Sequence, residues 1–375
     1  MSLSRHHRQT LLPGIGDAGQ AKLAASHAAI VGVGALGCAS AELLCRAGVG
    51  TLTLIDRDVV DLTNLQRQVL FGVADVGMPK AEAATARLRA IDPGVRVIAH
   101  AADLTGANAE RLLGLERGAP RARSASEGLR NVRIAAGTED VDSPPSPPDI
   151  FIDGTDNFET RYLLNDLAVK HSLPLAYGGV IATRGMSGTF VPGGPCLRCV
   201  FEEPPEPGSQ PTCDTAGVFG PVVAIVGATQ AADAIKILCG QPHTLSRTLL
   251  NFDIWANERR RFPLGDSPRP DCPCCGSRRF EFLEHARGDS LSLCGQDAIQ
   301  VSPGRDVTLD LESLRERLAR VAASAPVATR FMVRARVQSG TGEVDISVFA
   351  DGRAIIRGTT DANVARSVYA KYIGA

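Results

Sequence analysis

Apolar and polar positions fall into blocks of two periods. Ala28 to Val33 is a short apolar run, Ala39 to Ala47 favours helix, and Thr51 to Ile55 is again rich in β-branched residues and leucine. These blocks predict a strand, a helix and a strand. The pattern resumes with a helix over Pro79 to Ile91, strands over Val95 to Ala99 and Ile150 to Asp153, and a helix over Glu159 to His171. Such alternation predicts an α/β fold with a Rossmann-like, mostly parallel sheet. Val218 to Leu238 is apolar on most sides apart from Gln230, Asp233 and Lys236, which predicts a buried helix.

From about Leu291 the elements become shorter: a strand, a helix over Leu311 to Ala322, three short strands and a closing helix over Asp361 to Tyr372. Asp351-Gly352 between two of those strands is a hairpin signal. Two domains are expected, residues 1–285 and a small α+β domain at 286–375. Residues 114–148 are rich in Arg, Ser, Gly and Pro without apolar periodicity, and read as a mobile surface insertion. A proline-rich loop, Glu202 to Pro211, has the character of a flap. There is no internal repeat.

Composition narrows the possible partners. With 375 residues, 44% hydrophobic, and a formal net charge of -1, the chain has material for a large core and no overall field for nucleic acid or an anionic membrane. No apolar run approaches the roughly 20 residues of a membrane span. Arg5, His6, His7 and Arg8 lead into no signal-peptide core, so a cytoplasmic protein is expected. Its ten cysteines then call for metal binding, chemistry or simple burial rather than structural disulfides.

Gly32-Val33-Gly34-Ala35-Leu36-Gly37 lies between a predicted strand and helix, where such glycines let a phosphate approach backbone N–H groups. Asp56 ends the next strand and can accept hydrogen bonds from ribose hydroxyls. These residues alone leave the nucleotide open, and an NAD-dependent oxidoreductase would also carry them. Asn64-Leu65-Gln66-Arg67-Gln68 and Lys80 add cations and amides just downstream. They suit a triphosphate, because attack of a carboxylate on an α-phosphate brings two anions together. Asp156, in Asp153-Gly154-Thr155-Asp156-Asn157 at the end of another strand, is the candidate Mg²⁺ ligand. Asn157 is placed either at the nucleotide or as the cap of the following helix.

Cys196-Leu197-Arg198-Cys199 and Cys272-Pro273-Cys274-Cys275 are two C-x-x-C pairs flanked by Pro or Gly. Cys196, Cys199, Cys272 and Cys275 therefore predict a structural Zn²⁺ site, with Cys274 a spectator. Cys213 precedes a long helix in a polar loop, where the helix dipole would favour a thiolate nucleophile. Cys38, Cys45 and Cys239 fall on predicted helices and read as inert buried thiols. Cys294 has no evident role.

Taken together these motifs resemble the ThiF, MoeB and HesA adenylyltransferases, bacterial relatives of the ubiquitin-activating enzymes. The resemblance runs over about residues 5 to 276 and rests on RHHRQ, GVGALG, DRDVVDLTNLQRQVLF, the Pro79-Lys80 pair, DGTDNFETRYLLND, CLRC, TCDTAG and CPCCG. It implies that ATP adenylates the C-terminal glycine of a ubiquitin-like sulfur carrier ending in Gly-Gly, with release of pyrophosphate. By motif position Gly34 and Asp56 would hold the nucleotide, Arg67 and Lys80 its phosphates, and Asp156 the Mg²⁺, with Asn64 and Gln68 completing the pocket. Arg8 matches an arginine inserted into the partner subunit's site, so a homodimer is implied. Cys213 matches a cysteine that in some members links covalently to the carrier during sulfur transfer. FETRYLLND, FDIWANE and the tail with LCGQDAIQV and DGRAIIRGTTD are most similar to ThiF proteins with an extra C-terminal domain, and no rhodanese-like loop is present. A ThiS-type carrier of thiamine thiazole synthesis is thus the leading expectation and a MoaD-type carrier of molybdopterin synthesis the alternative. A donor such as a cysteine desulfurase would supply the sulfur. The 114–148 insertion departs from the family pattern.

Overall fold

The computed structural model describes residues 5–116, 146–205, 213–284, 290–293, 298–303, 307–329, 332–340 and 342–374. The contacts divide the chain into two compact units, Met1–Pro211 with Val218–Ala286, and Thr212–Gly217 with Arg287–Ala375. Most of the expected insertion, 117–145, lies outside the described residues, as do 206–211 of the expected flap and Cys294. The start of that insertion is not loose surface, since Leu115 is buried in the core beside Leu112 and Leu113.

The larger unit opens with helices α1 (His7–Thr10) and α2 (Gly16–Ala25), then β1 (His27–Val31), α3 (Ala35–Ala47), β2 (Thr51–Ile55), α4 (Lys80–Ile91), β3 (Arg96–His100) and α5 (Ala109–Leu112). It continues through β4 (Ile150–Asp153), α6 (Phe158–His171), β5 (Leu175–Ile181), β6 (Arg184–Phe190) and α7 (Leu197–Val200). After α8 (Cys213–Ala216), which groups with the smaller unit, come α9 (Gly220–Leu238), β7 (Thr248–Asp253), β8 (Glu258–Pro263) and α10 (Glu281–Glu284). The sheet order is β3-β2-β1-β4-β5-β6-β7-β8. Pairing is parallel from β3 to β5 and antiparallel from β5 to β8.

Period two is visible in how the central strands are buried. Ile30, Ile150 and Ile152 face a core with Leu44 of α3, Leu88 of α4 and Leu238 of α9. Ala29, Val31 and Phe151 face the opposite core, with Tyr162, Leu163 and Leu167 of α6. Both faces of β1 are covered, so all five of its residues are buried and the strand reads as a continuous apolar run. Each fully buried leucine or isoleucine there contributes about 1.5–3 kcal/mol.

By length and composition Gly220–Leu238 is apolar enough to cross a membrane, which corrects the expectation that no run approached that length. Here it is a core helix packed on α3, β5 and β6. Its buried Gln230 donates to the Asp153 and Ala176 carbonyls at 2.8 and 3.0 Å, and Thr189 donates to its buried Asp233 at 2.9 Å. A lipid-facing helix would leave both polar groups without such partners.

The smaller unit has β9 (Ser290–Leu293), β10 (Ala298–Val301), α11 (Leu311–Ala319), β11 (Val327–Ala328), β12 (Met332–Ser339), β13 (Gly342–Phe349), β14 (Ala354–Arg357) and α12 (Ala362–Tyr372). Its antiparallel order is β11-β12-β13-β14-β10-β9. Leu314, Leu318, Val368 and Tyr369 of the helices pack with Val333, Val337, Ile346 and Ile356 of the sheet. The helices start where Asp310 and Asp361 cap them, accepting from Glu312 N and Asn363 N. Asp351-Gly352 makes the expected hairpin between β13 and β14.

Candidate nucleotide site and cysteine cluster

In the larger unit β1 lies between β2 and β4, so the connections leave it towards opposite faces of the sheet. A crevice at the carboxyl ends of strands follows from that reversal. The glycine turn sits there. Gly32 has φ +83°, and a Cβ on it would lie 2.6 Å from the carbonyl of Gly154, so only glycine fits both the left-handed backbone and the close approach of β4. Gly34 precedes the first turn of α3, and a Cβ there would meet only Gln68 Nε2, at 3.8 Å. The N–H groups that start α3 thus open onto space suited to an anion.

Asp56 is buried at the end of β2. Its carboxylate accepts from Val33 N at 2.6 Å and from Asp58 N at 2.7 Å, which ties the glycine turn to the next loop. Burial pushes its pKa up to about 6, against the pull of Lys80. Lys80, only 5% exposed at the start of α4, bonds Asp58 at 2.9 Å. Burial alone would lower the Lys80 pKa; the charges of Asp58 and Asp56 outweigh it and keep the ammonium protonated. Asn64 is buried and closes a capping box with Asp61, accepting from its N–H at 3.1 Å. Gln68 is 4% exposed, and its Oε1 has no hydrogen-bond partner among the described residues. A buried orphan acceptor beside Gly34 fits a polar ligand in this crevice. Arg67 donates to the Thr63 carbonyl at 3.0 Å.

The β4 end closes the crevice from the other side. Asp156 is exposed, while Asn157 caps α6 by accepting from Thr160 N at 2.8 Å. Asp156 is near enough to Arg57, Lys80 and Arg161 to help raise the pKa of each, after burial and their nearer carboxylates. An exposed carboxylate two residues beyond the Gly154 that abuts Gly32 is the kind of oxygen donor Mg²⁺ takes.

One predicted residue lies apart from this cluster. Arg8 is exposed on α1, and its neighbour Gln9 donates to the Ala47 carbonyl at the far end of α3 from Gly34. With 13 residues in α3 that end is about 20 Å from the glycine turn. Cys213 was expected in a loop; it opens the four-residue helix α8 of the smaller unit, and its side chain lies outside the described residues.

The cysteine pairs meet. Cys196, Cys199, Cys272 and Cys275 hold their sulfurs within 4.8 Å of one another and could hold a metal ion. The Cys196–Cys272 and Cys199–Cys275 separations are 3.6 and 3.3 Å. Cys274 instead points into the protein, donating to Asp166 at 3.3 Å and accepting from Asn165 at 3.2 Å. Cys38, Cys45 and Cys239 are buried free thiols.

Sequence reasoning missed the charges that support the crevice. Arg57 bonds Asp103 at 3.4 Å, and Arg161 bonds Asp153 at 2.7 Å. The signal for the second pair was Arg161 standing among residues otherwise fit for burial, eight positions after an acid that ends a strand.

The model of the ThiF family matches residues 6–274. Over 374 residues, 99% of both chains, the protein is 38% identical to the sulfur carrier protein ThiS adenylyltransferase of Bacillus subtilis. It is also 38% identical, over 78% of its length and 97% of the relative, to the sulfur carrier protein adenylyltransferase of Thermus thermophilus. Among solved structures, E. coli MccB with ATP shares the fold at TM-score 0.55 and 23% identity, over 73% of this chain and 75% of that one. On the glycine turn, the acid and cation cluster and these matches, the chain belongs to the ThiF family.

Proposed function

We propose that the protein is a sulfur carrier protein adenylyltransferase, acting with ATP on the C-terminal glycine of a ubiquitin-like carrier of the ThiS type. The observation that carries this reading is the run of contacts from Lys80 through Asp58 and Asp56 to Val33 of the glycine turn that opens α3, with Arg57 and Asp156 close enough to act on the same charges. A nucleotide used only for hydride transfer has no need of a fixed cluster of cations beside its phosphates. Adenylation does: the carrier carboxylate oxygen forms a bond to the α-phosphorus while the bond to the leaving pyrophosphate breaks, and negative charge accumulates on both sides.

In this reading the α3 N-terminus and Gly34 bind phosphate, Asp56 binds ribose, and Arg67 and Lys80 neutralise the polyphosphate. Gln68 completes the pocket with its orphan acceptor, and Asn64 holds the loop through its capping box. Asp156 would hold Mg²⁺, which supplies further neutralisation of the phosphates when bound. Arg8 stands about a helix length from its own glycine turn. A role for it in catalysis therefore requires a second subunit, and the working enzyme is a homodimer. The four thiols would hold Zn²⁺ as a structural clamp between 196–199 and 272–275, and the sulfur separations suit tetrahedral coordination. Cys213 acts after adenylation, when sulfur from a donor such as a cysteine desulfurase reaches the carrier. Residues 1–285 form the adenylation domain and 286–375 an appended domain. Free buried thiols suit a reducing cytoplasm.

ATP–pyrophosphate exchange with purified carriers ending in Gly-Gly tests the reading. Exchange is expected with a ThiS-type carrier and not without a carrier. Exchange in the absence of any carrier would refute it; exchange with a MoaD-type carrier alone would transfer the protein to the other pathway.

A further inference from the structure

Asp153 and Arg161 form an ion pair almost wholly out of water. Asp153 is 0% exposed, and the Arg161 side chain is 8% exposed. Burying both charges brings a desolvation penalty that attraction barely offsets, and apolar pairs of similar volume are often as stable or more so. Bulk stability therefore does not explain the pair. Its geometry offers another reason.

Arg161 reaches back from the first turn of α6. Its Nε donates to Asp153 Oδ2 at 2.7 Å, while Nη2 donates to the carbonyls of Thr155 at 2.9 Å and of Gly178 at 3.1 Å. The other Asp153 oxygen accepts from Thr155 N at 3.0 Å and from Thr155 Oγ1 at 2.6 Å. Phe158 and Tyr177 place their rings 5.3 and 5.0 Å from the guanidinium carbon. One planar group thus fastens the turn after β4 to its own strand, to β5 and to α6. The turn so held carries Asp156 at its tip and presses Gly154 against Gly32.

We propose that Arg161 is a positioning residue: its fork to Asp153, Thr155 and Gly178 sets where the Asp156 carboxylate stands relative to the Gly32–Gly34 turn, and so how tightly the metal–ATP complex binds. The proposal rests on the reading of Asp156 as the metal-facing carboxylate. Lysine keeps the charge at 161 but lacks the planar fork that serves one carboxylate and two carbonyls together. Outer partners of metal ligands commonly govern affinity by tenfold or more.

The test uses the full chain with Mn²⁺ as probe, followed by electron paramagnetic resonance in the presence of a non-hydrolysable ATP analogue, alongside thermal melting. Arg161→Lys should weaken Mn²⁺ binding roughly tenfold at temperatures well below its melting point. A second design, Asp153→Asn with Arg161→Met, keeps the acceptor for Thr155 and removes only the ion pair and the fork; it should melt near the wild type and bind Mn²⁺ as weakly as Arg161→Lys. In each case the Mg²⁺ concentration for half-maximal exchange should rise by the same factor. If Asp156→Asn weakens Mn²⁺ binding and neither Arg161 variant does, Arg161 is merely structural and the proposal is overturned. If Asp156→Asn itself binds Mn²⁺ normally, the metal reading of Asp156 is wrong and the proposal falls with it.

Discussion

Alanine at Gly32 and alanine at Gly34 should fail in different ways, although the residues are two apart. At Gly32 the backbone is left-handed, at φ +83°. An L-residue there costs about 1–2 kcal/mol. Its Cβ would also lie 2.6 Å from Gly154 C and O and 2.8 Å from Thr155 N, all of them backbone atoms. Relief requires β4 to move, at a cost of about 1–3 kcal/mol in the manner of an overpacked core. Together these give about 3 kcal/mol, or roughly 6–9 °C in melting temperature for a unit of this size. At Gly34 φ is -81° and the nearest foreign atom is Gln68 Nε2 at 3.8 Å. Gly34→Ala should therefore cost about 1 kcal/mol or less in stability. Its methyl would stand where a phosphate must approach the α3 N-terminus, so KM for ATP in the exchange assay should rise roughly tenfold, equivalent to about 1.4 kcal/mol. Differential scanning fluorimetry and exchange kinetics on both variants separate the effects. A Gly32→Ala protein melting with the wild type would refute the steric argument, and a Gly34→Ala protein with unchanged KM would refute phosphate binding at this turn.

Arg67→Ala should reduce pyrophosphate exchange roughly a hundredfold, whereas Cys213→Ala should leave exchange within about twofold because adenylation needs no thiol; equal losses would mean that Cys213 has been given the wrong step. Metal analysis should find about one zinc per chain, and Cys272→Ser, which removes one of the four sulfurs of the cluster, should lose it together with several degrees of thermal stability; full stability without metal would contradict a structural clamp. ATP affinity should weaken as pH falls through about 6, where buried Asp56 takes up its proton alongside the terminal phosphate of ATP, and Asp56→Asn should leave only the phosphate's share of that dependence. Because the pKa is raised on folding, this group's contribution to stability is present at low pH and lost as pH rises towards 6. The loss of affinity therefore cannot be ascribed to Asp56 unfolding the protein; an affinity flat between pH 7 and 5 would refute its role.

The central fold was legible because β1, β2 and β4 are covered on both faces and the helices between them have apolar sides. Strands β5 to β8 were not. Gly178, Gly179, Gly185 and Gly188 interrupt the apolar pattern of β5 and β6, each fitted to a neighbour such as Gln230 or Phe252 that only the tertiary structure supplies. The edge strand β8, Glu258–Pro263, is exposed along its whole length and so has no buried face to read. The site divides in the same way. Glycines, Asp56, Arg67 and the C-x-x-C pairs carry local chemistry and could be picked out from spacing. Asp153–Arg161 and Arg57–Asp103 were harder to pick out, because each pairing depends on contacts that only the folded chain brings together. Asn157 and Asn64 proved to have structural bonds as caps, which a residue type alone does not separate from ligand contacts.

That division bears on which cation adenylation depends on. Around the crevice, Lys80 is bonded to Asp58, Arg161 to Asp153 and Arg57 to Asp103. A cation already beside a carboxylate offers an incoming phosphate less net attraction, since the phosphate also meets the acid. These three hold the crevice in shape and keep it close to neutral before ATP arrives. Arg67 differs in its described partner, the neutral carbonyl of Thr63. Its charge is not offset by that bond, and a guanidinium can exchange one carbonyl contact for a bidentate phosphate contact at small cost. The polyphosphate of ATP should therefore draw its largest single gain from Arg67, and Arg67→Ala should lower exchange further than Lys80→Met, whose loss leaves Asp58 uncompensated but removes a cation already shared.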